Sequence, residues 1–280
     1  MRNGTLRRVA SGSAALAAAL ALAAGAAAIV VAPHHVFIDH RTRSGVLYLH
    51  NPGDRPEEIS IDLVFGYPAS DTAGNVTIRF VERPPADAPS AAEWIRAFPR
   101  RAVVAPGQRQ AVRLLGQPPS GLADGEYWTR LIVTSRPADP PVTAADTGVR
   151  VGLTLEVRTV IPVTYRKGGV DTGVEVTGVA SEVTGDSLVV RVGMRRLGSA
   201  AYLGTLRLAL TDSLGAVRAR QDQHVAVYYD LLRRVPLPIA GLPAGTYTLD
   251  LRIDTRRSDL DARDVLPAQP VEAKVGVRLP

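Results

Sequence analysis

Apolar and polar residues alternate in this chain in short runs, and nearly every run stops at Gly, Pro, Asn or Asp. That pattern admits many short strands and little else. In "EISIDLVFG", Ile59, Ile61, Leu63 and Phe65 share one face, because successive side chains of an extended strand point to opposite sides. "HHVFID", "GVLYLHN" and "NVTIRFVE" have the same build. They are cut by strong turn signals at Asn51-Pro52-Gly53-Asp54 and Asp71-Thr72-Ala73-Gly74-Asn75. No long amphipathic helix pattern occurs. The one helical signal is local: Ser90, with Glu93 three residues on, reads as a capping box for a short helical turn ended by Pro99. Aromatic residues make up only 5%, so Val, Leu, Ile and Ala must build the core. The expected fold class is all-β, with antiparallel sandwiches of the immunoglobulin type.

The second half repeats the style of the first. Leu206, Leu208 and Leu210 alternate in one segment, and Tyr247, Leu249, Leu251 and Ile253 in another. The phrase Gly-Leu-x-x-Gly-x-Tyr occurs twice, beginning at Gly121 and at Gly241, each time just before an alternating run. In immunoglobulin-like sandwiches a Tyr at the start of a late strand bonds its hydroxyl back to the backbone upstream. Tyr127 and Tyr247 are therefore expected to be structural corners, one in each of two sandwiches. Lys167-Gly168-Gly169 reads as the linker. The predicted division is a signal peptide over 1–28, a first sandwich over 29–167 and a second over 168–280.

The signal peptide follows from the N-terminus. Arg2, Arg7 and Arg8 precede the apolar stretch "AALAAALALAAGAAA", and small residues at Ala26–Ala28 suit cleavage. The mature protein is then exported and has no stable membrane anchor. It has no cysteine, so neither disulfides nor a lipid-modified Cys is available. The net charge of the full chain is +6, and loss of the three leader arginines lowers it to +3. The remaining basic residues are scattered and not interleaved with aromatics, which argues against nucleic-acid binding.

No catalytic constellation is visible. His34, His35 and His40 are near one another in sequence, but neighbours on a strand face opposite ways, and no zinc-binding spacing occurs. GxSxG and phosphate-loop motifs are absent. Asp259 and Asp261 in "DLDARD" lack the glycine and terminal glutamate of a calcium loop. The chain is read as a non-enzyme without cofactor or metal. The longest alternation is Val149, Val151, Leu153, Leu155 and Val157. Such a row is either interior core or, on a sheet edge, a surface that pairs with an incoming strand.

An ordered set of segments then resembles a known family. "GVLYLHN" ending at Asn51, "PRRAVVAPGQRQAVRL" with Pro99, Pro106, Gly107 and Arg113, "LADGEYWTRLIV" and "IPVTYR" are similar to the N-terminal domain of PapD-like periplasmic pilus-assembly chaperones over roughly residues 30–167. The resemblance implies two immunoglobulin-like domains set at an angle. It also implies a secreted pilin-like subunit bound in the cleft, and strand donation by Leu153, Leu155 and Val157 without ATP. An outer-membrane usher is the further partner, Arg166 lies at the domain junction, and the compartment is the periplasm. One departure stands out. The family holds a subunit carboxylate with an Arg and a Lys, and those positions fall here on His35 and Pro162, neither of which carries a fixed positive charge. The rival reading is a structural or adhesive immunoglobulin-like envelope module without chaperone activity.

Overall fold

A computed structural model describes residues 29–138 and 155–280; the predicted signal peptide and Leu153 lie outside the described residues. The alternating segments form β1 (Val30–Ala32), β2 (Val36–Asp39), β3 (Ser44–His50), β4 (Glu57–Ser70), β5 (Val76–Val81), β6 (Ile95–Phe98), β7 (Arg101–Val104), β8 (Arg109–Gly116), β9 (Gly125–Pro137) and β10 (Val157–Lys167). They build two facing sheets. One has the order β1-β3-β8-β6; the other runs β2-β10-β9-β4-β5, with β7 also paired to β4. Leu47, Leu49, Val112 and Leu114 from the first sheet meet Ile59, Leu131, Ile161 and Tyr165 from the second in one core. Phe65 leaves that core, although it alternates with Ile59 and Ile61, and joins a small cluster with Trp128, Ala201 and Tyr228.

The second half forms β11 (Gly173–Thr184), β12 (Ser187–Leu197), β13 (Tyr202–Thr211), β14 (Val217–Val227), β15 (Asp230–Pro238), β16 (Gly245–Asp254) and β17 (Val271–Leu279). Its sheets have the orders β11-β12-β15 and β14-β13-β16-β17. Leu188, Val190 and Val192 pack there against Leu206, Leu208, Leu249 and Leu251. The fold is all-β, two sandwiches in series. No helix among the described residues is long and apolar enough to cross a membrane.

The expected helical turn after Ser90 is present as a single turn: Ile95 donates its backbone N–H to Ala91 O at 3.0 Å. The residues leading into it pair with β9: Trp128 donates its backbone N–H to Pro89 O at 2.7 Å, and Ala91 donates to Trp128 O at 2.8 Å.

The two repeated phrases behave alike. Tyr127 donates its hydroxyl to Ala123 O, and Tyr247 donates to Pro243 O, both at 2.9 Å. Each bond closes the bend four residues upstream of its tyrosine. Tyr127→Phe and Tyr247→Phe are each expected to cost about 1 kcal/mol, the usual net worth of one hydrogen bond. Tyr247 is the more buried, so its loss should shift the urea midpoint further. Equal stability of both variants with the parent would rule out the staple role.

The halves are joined by more than the linker. Gly168 has φ +67, and a Cβ there would fall 2.1 Å from Asp124 Oδ2, so the linker is pinned against the first sandwich. The β4–β5 hairpin reaches across to β15. Ser70 Oγ accepts the Leu232 N–H at 2.8 Å, and Gly74 O accepts the Arg234 N–H at 2.9 Å. Gly74 has φ +86, and a Cβ would meet Arg234 N at 2.9 Å, so only glycine suits this tip.

Candidate functional site

The site grows from one strand. β9 pairs with β10 along its whole length, from Val157 opposite Ser135 to Lys167 opposite Gly125. On the other side, β2 runs parallel to β10 and covers only Val163–Arg166. Over Val157–Pro162 the outer edge of β10 therefore has no strand partner among the described residues. Its unpaired backbone groups are a template for another strand.

Alternation sorts the side chains. Ile161, Val163 and Tyr165 enter the core, and Val157 and Thr159 extend the same row, half-buried, toward the start of the strand. Leu155, just before the strand, is 53% exposed. Arg158, Val160, Pro162, Thr164 and Arg166 occupy the opposite face. Towards Arg166 that face meets the second sandwich.

At this seam the sequence-predicted residues His35, Pro162 and Arg166 come together, along with three that sequence reasoning missed. His35 is only 9% exposed, with Nε2 2.8 Å from Thr164 Oγ1 and its ring stacked on Phe37 at 4.0 Å. Burial, helped by the Arg130 and Arg166 guanidiniums, pushes its pKa down from 6.5 to about 3. His35 is thus neutral at physiological pH. Arg166 donates Nε to Glu126 Oε2 at 2.8 Å and Nη1 to Asp264 O at 2.6 Å, and lies over the Phe37 ring at 4.7 Å.

Glu126 is the hub of the seam and is almost fully buried. Besides Arg166, it accepts Trp128 Nε1–H at 2.7 Å and the Ala201 backbone N–H of the second sandwich at 2.9 Å. Three donors, one of them cationic, satisfy the carboxylate where water is excluded. Trp128 packs edge-on against Tyr228 with ring centroids 4.6 Å apart.

Arg130 is the unusual member. It stands directly opposite Pro162 across the β9–β10 pair and is 3% exposed. Nε donates to Gly66 O at 2.9 Å, and the guanidinium lies 4.9 Å from the Tyr228 ring centroid. Among the described residues, Nη2 is buried without a hydrogen-bond partner, and no carboxylate pairs with the side chain. A buried cation with a free donor is costly unless an anion reaches it. A signal for this trio was present. Glu126, Trp128 and Arg130 in "GEYWTR" lie at i, i+2 and i+4, on one face of a strand.

His40 Nδ1 is 2.5 Å from the Tyr165 hydroxyl, and His34 is exposed beside buried His35. Asp259 and Asp261 are each in salt-bridge contact with an arginine, Arg257 and Arg263.

No family model matches the chain, and no curated protein matches it. Solved structures to which it is similar include several chaperones. The CsuC–CsuE chaperone–tip adhesion subunit complex of the Csu pili of Acinetobacter baumannii is 14% identical, with 88% of this chain and 98% of that one covered and a TM-score of 0.46. The Escherichia coli chaperone DraB is 15% identical, with 88% and 95% covered and a TM-score of 0.44. The Pseudomonas aeruginosa CupB2 chaperone is 12% identical, with 89% and 100% covered and a TM-score of 0.40.

Proposed function

We propose that the chain is an exported, periplasmic chaperone-like protein that binds a secreted pilin-like subunit by lending it the open edge of β10. The observation that carries this reading is the unpaired edge over Val157–Pro162. An incoming strand gains backbone hydrogen bonds along the edge, and its fold gains an apolar row from Leu153, Leu155 and Val157. The step needs neither ATP nor a cofactor, because burial of apolar surface and new ladder bonds drive it. An outer-membrane usher would take the loaded complex.

Arg130 accounts for the departure at His35 and Pro162. In this reading its Nη2, sealed from solvent in the free protein, supplies the positive charge that those two positions lack once binding parts the seam at Tyr228, and a subunit carboxylate is what it takes. The rival reading, a structural or adhesive module, requires the row before β10 to be covered. The exposure of Leu155 speaks against it.

The test is recovery of the pilin-like product of a neighbouring gene by co-purification. Leu153→Asp with Leu155→Asp is expected to lower recovery at least tenfold, since each buried charge costs more than about 1.4 kcal/mol. For Leu155→Asp alone the unfolding midpoint should not move, because Leu155 is exposed in the free protein. Arg130→Gln should lower recovery as well. Undiminished recovery with the double aspartate variant would overturn the strand-donation reading.

A further inference from the structure

The outer face of the β1-β3-β8-β6 sheet lies away from the open edge of β10, and nothing in the proposed function uses it. One face of an antiparallel sheet commonly meets water, and it is then polar. This one is not. Val46 and Tyr48 of β3, Phe98 of β6 and Leu115 of β8 are between 38% and 53% exposed. The register sets them among cations. Val46, Arg113 and Phe98 form one row across the sheet, and Leu115 and Arg96 lie side by side in the next. Arg109 stands beside His50 in the row that begins at Val30.

The three arginines have no carboxylate partner among the described residues. Arg96 donates only to backbone oxygens of Glu93 and Ile95, and neither Arg109 nor Arg113 enters a salt bridge. Elsewhere the protein pairs its surface arginines freely, as with Arg195 and Asp230 or Arg252 and Glu272. No Asp or Glu occupies an outward position in β1, β3, β6 or β8. The face offers guanidinium donors and apolar surface, and calls for a partner rich in anionic acceptors.

Size and charge narrow the partner. A four-stranded sheet whose β3 has seven residues presents roughly 450 Å², from strand spacings of about 4.8 Å and rises of about 3.4 Å. A stable protein–protein interface needs about 800 Å² on each side. A second copy placed face to face would bring arginines onto arginines. A phospholipid surface meets both conditions. It needs no matched outline, its headgroups supply phosphate acceptors, and Tyr, Phe and Arg are favoured at the boundary between headgroups and chains.

We infer that the outer face of the β1-β3-β8-β6 sheet is a reversible docking surface for an anionic phospholipid membrane. Arg96, Arg109 and Arg113 engage the headgroups, while Tyr48, Phe98 and Leu115 rest at the acyl boundary. Binding is weak and sensitive to salt, since three exposed cations act through a screened field.

Cosedimentation of the purified protein with vesicles tests this. Vesicles of mixed phosphatidylglycerol and phosphatidylcholine should bind it at low ionic strength, and pure phosphatidylcholine vesicles should not. Arg109→Gln with Arg113→Gln should weaken binding by about twentyfold, near fivefold per arginine. Tyr48→Ser with Phe98→Ser should weaken it as well, without changing the charge. Arg55→Gln with Arg278→Gln removes the same charge from exposed sites off this face and should leave binding within twofold. All these side chains are exposed, and circular dichroism confirms that each variant is folded. Absence of binding, equal binding to both vesicle types, or equal losses from the Arg55/Arg278 pair would overturn the inference. In the first case the face would be left for an acidic protein surface.

Discussion

Glu126→Ala is expected to destabilise the protein by about 3–5 kcal/mol, the range for removing one partner of a buried ion pair. The cause is what stays behind. Trp128 Nε1–H and the Ala201 N–H lose their acceptor, and Arg166 loses its carboxylate in a seam shielded from water. Ala201 belongs to the second sandwich and Glu126 to the first, so the loss also loosens the contact between them. Urea unfolding should show a lower midpoint and, as the seam weakens, a transition that broadens or splits. Glu126→Gln keeps an acceptor for one or two of these donors without the charge, and should fall between Ala and the parent. A loss below about 1 kcal/mol for Glu126→Ala would mean that water replaces the carboxylate, and the seam would then be open.

Acid should destabilise the protein before any of its low-pKa carboxylates titrates. Folding lowers the His35 pKa from 6.5 to about 3. The unfolded chain therefore binds a proton that the folded chain refuses. The contribution is complete above pH 6.5 and is lost steadily as pH falls from 6.5 towards 3. The slope approaches about 1.4 kcal/mol per pH unit, the limit for one proton. Desolvation is the largest cause, followed by repulsion from Arg130, Arg166 and Arg257, while Asp259 opposes it. The carboxylates of Asp259 and Asp261 are lowered to about 2 by their arginine partners, so their contribution is lost only below the ordinary carboxylate range. Glu57 and Asp264, raised by burial, act in the opposite sense. His35 is therefore isolated by comparing the parent with His35→Gln over the interval from pH 6.5 to 4.5, since the Glu57 and Asp264 contributions are common to both. His35→Gln can still reach Thr164 but cannot take a proton, so its urea midpoint should fall less than the parent's across that interval. Equal pH dependence in parent and variant would show that His35 protonates without cost in the fold.

Much of the fold is legible in local pattern. Ile59 and Ile61 are buried as their alternation requires, and Leu206, Leu208 and Leu210 are all buried. The two Gly-Leu-x-x-Gly-x-Tyr phrases bend as a local motif should, because each bond closes within four residues. The single helical turn after Ser90 forms as well, closed by the Ile95 N–H on Ala91 O, while Ser90 itself pairs with Trp128 of β9, a partner no local run announces. The site was legible only in part. Arg166 and His35 were singled out only by the family resemblance. Glu126 and Arg130 were passed over because a charged residue on a strand ordinarily faces water, and these two do not.

Periodicity is a property of neighbours in sequence, so the chain alone determined which residues extend, where they turn, and that two sandwiches follow one another. Which edge stays open depends on a pairing between residues more than 120 apart, since β2 covers β10 only from Val163 onward. The burial of Glu126 depends on Ala201, 75 residues away. The orphaned Nη2 of Arg130 depends on Tyr228 arriving from the second sandwich to seal it. Strand registers and packed seams are set by the sum of many distant contacts, and no local run carries that sum. Only the tertiary structure could decide that, among the described residues, β10 presents an unpaired edge, with one uncompensated cation one strand behind it.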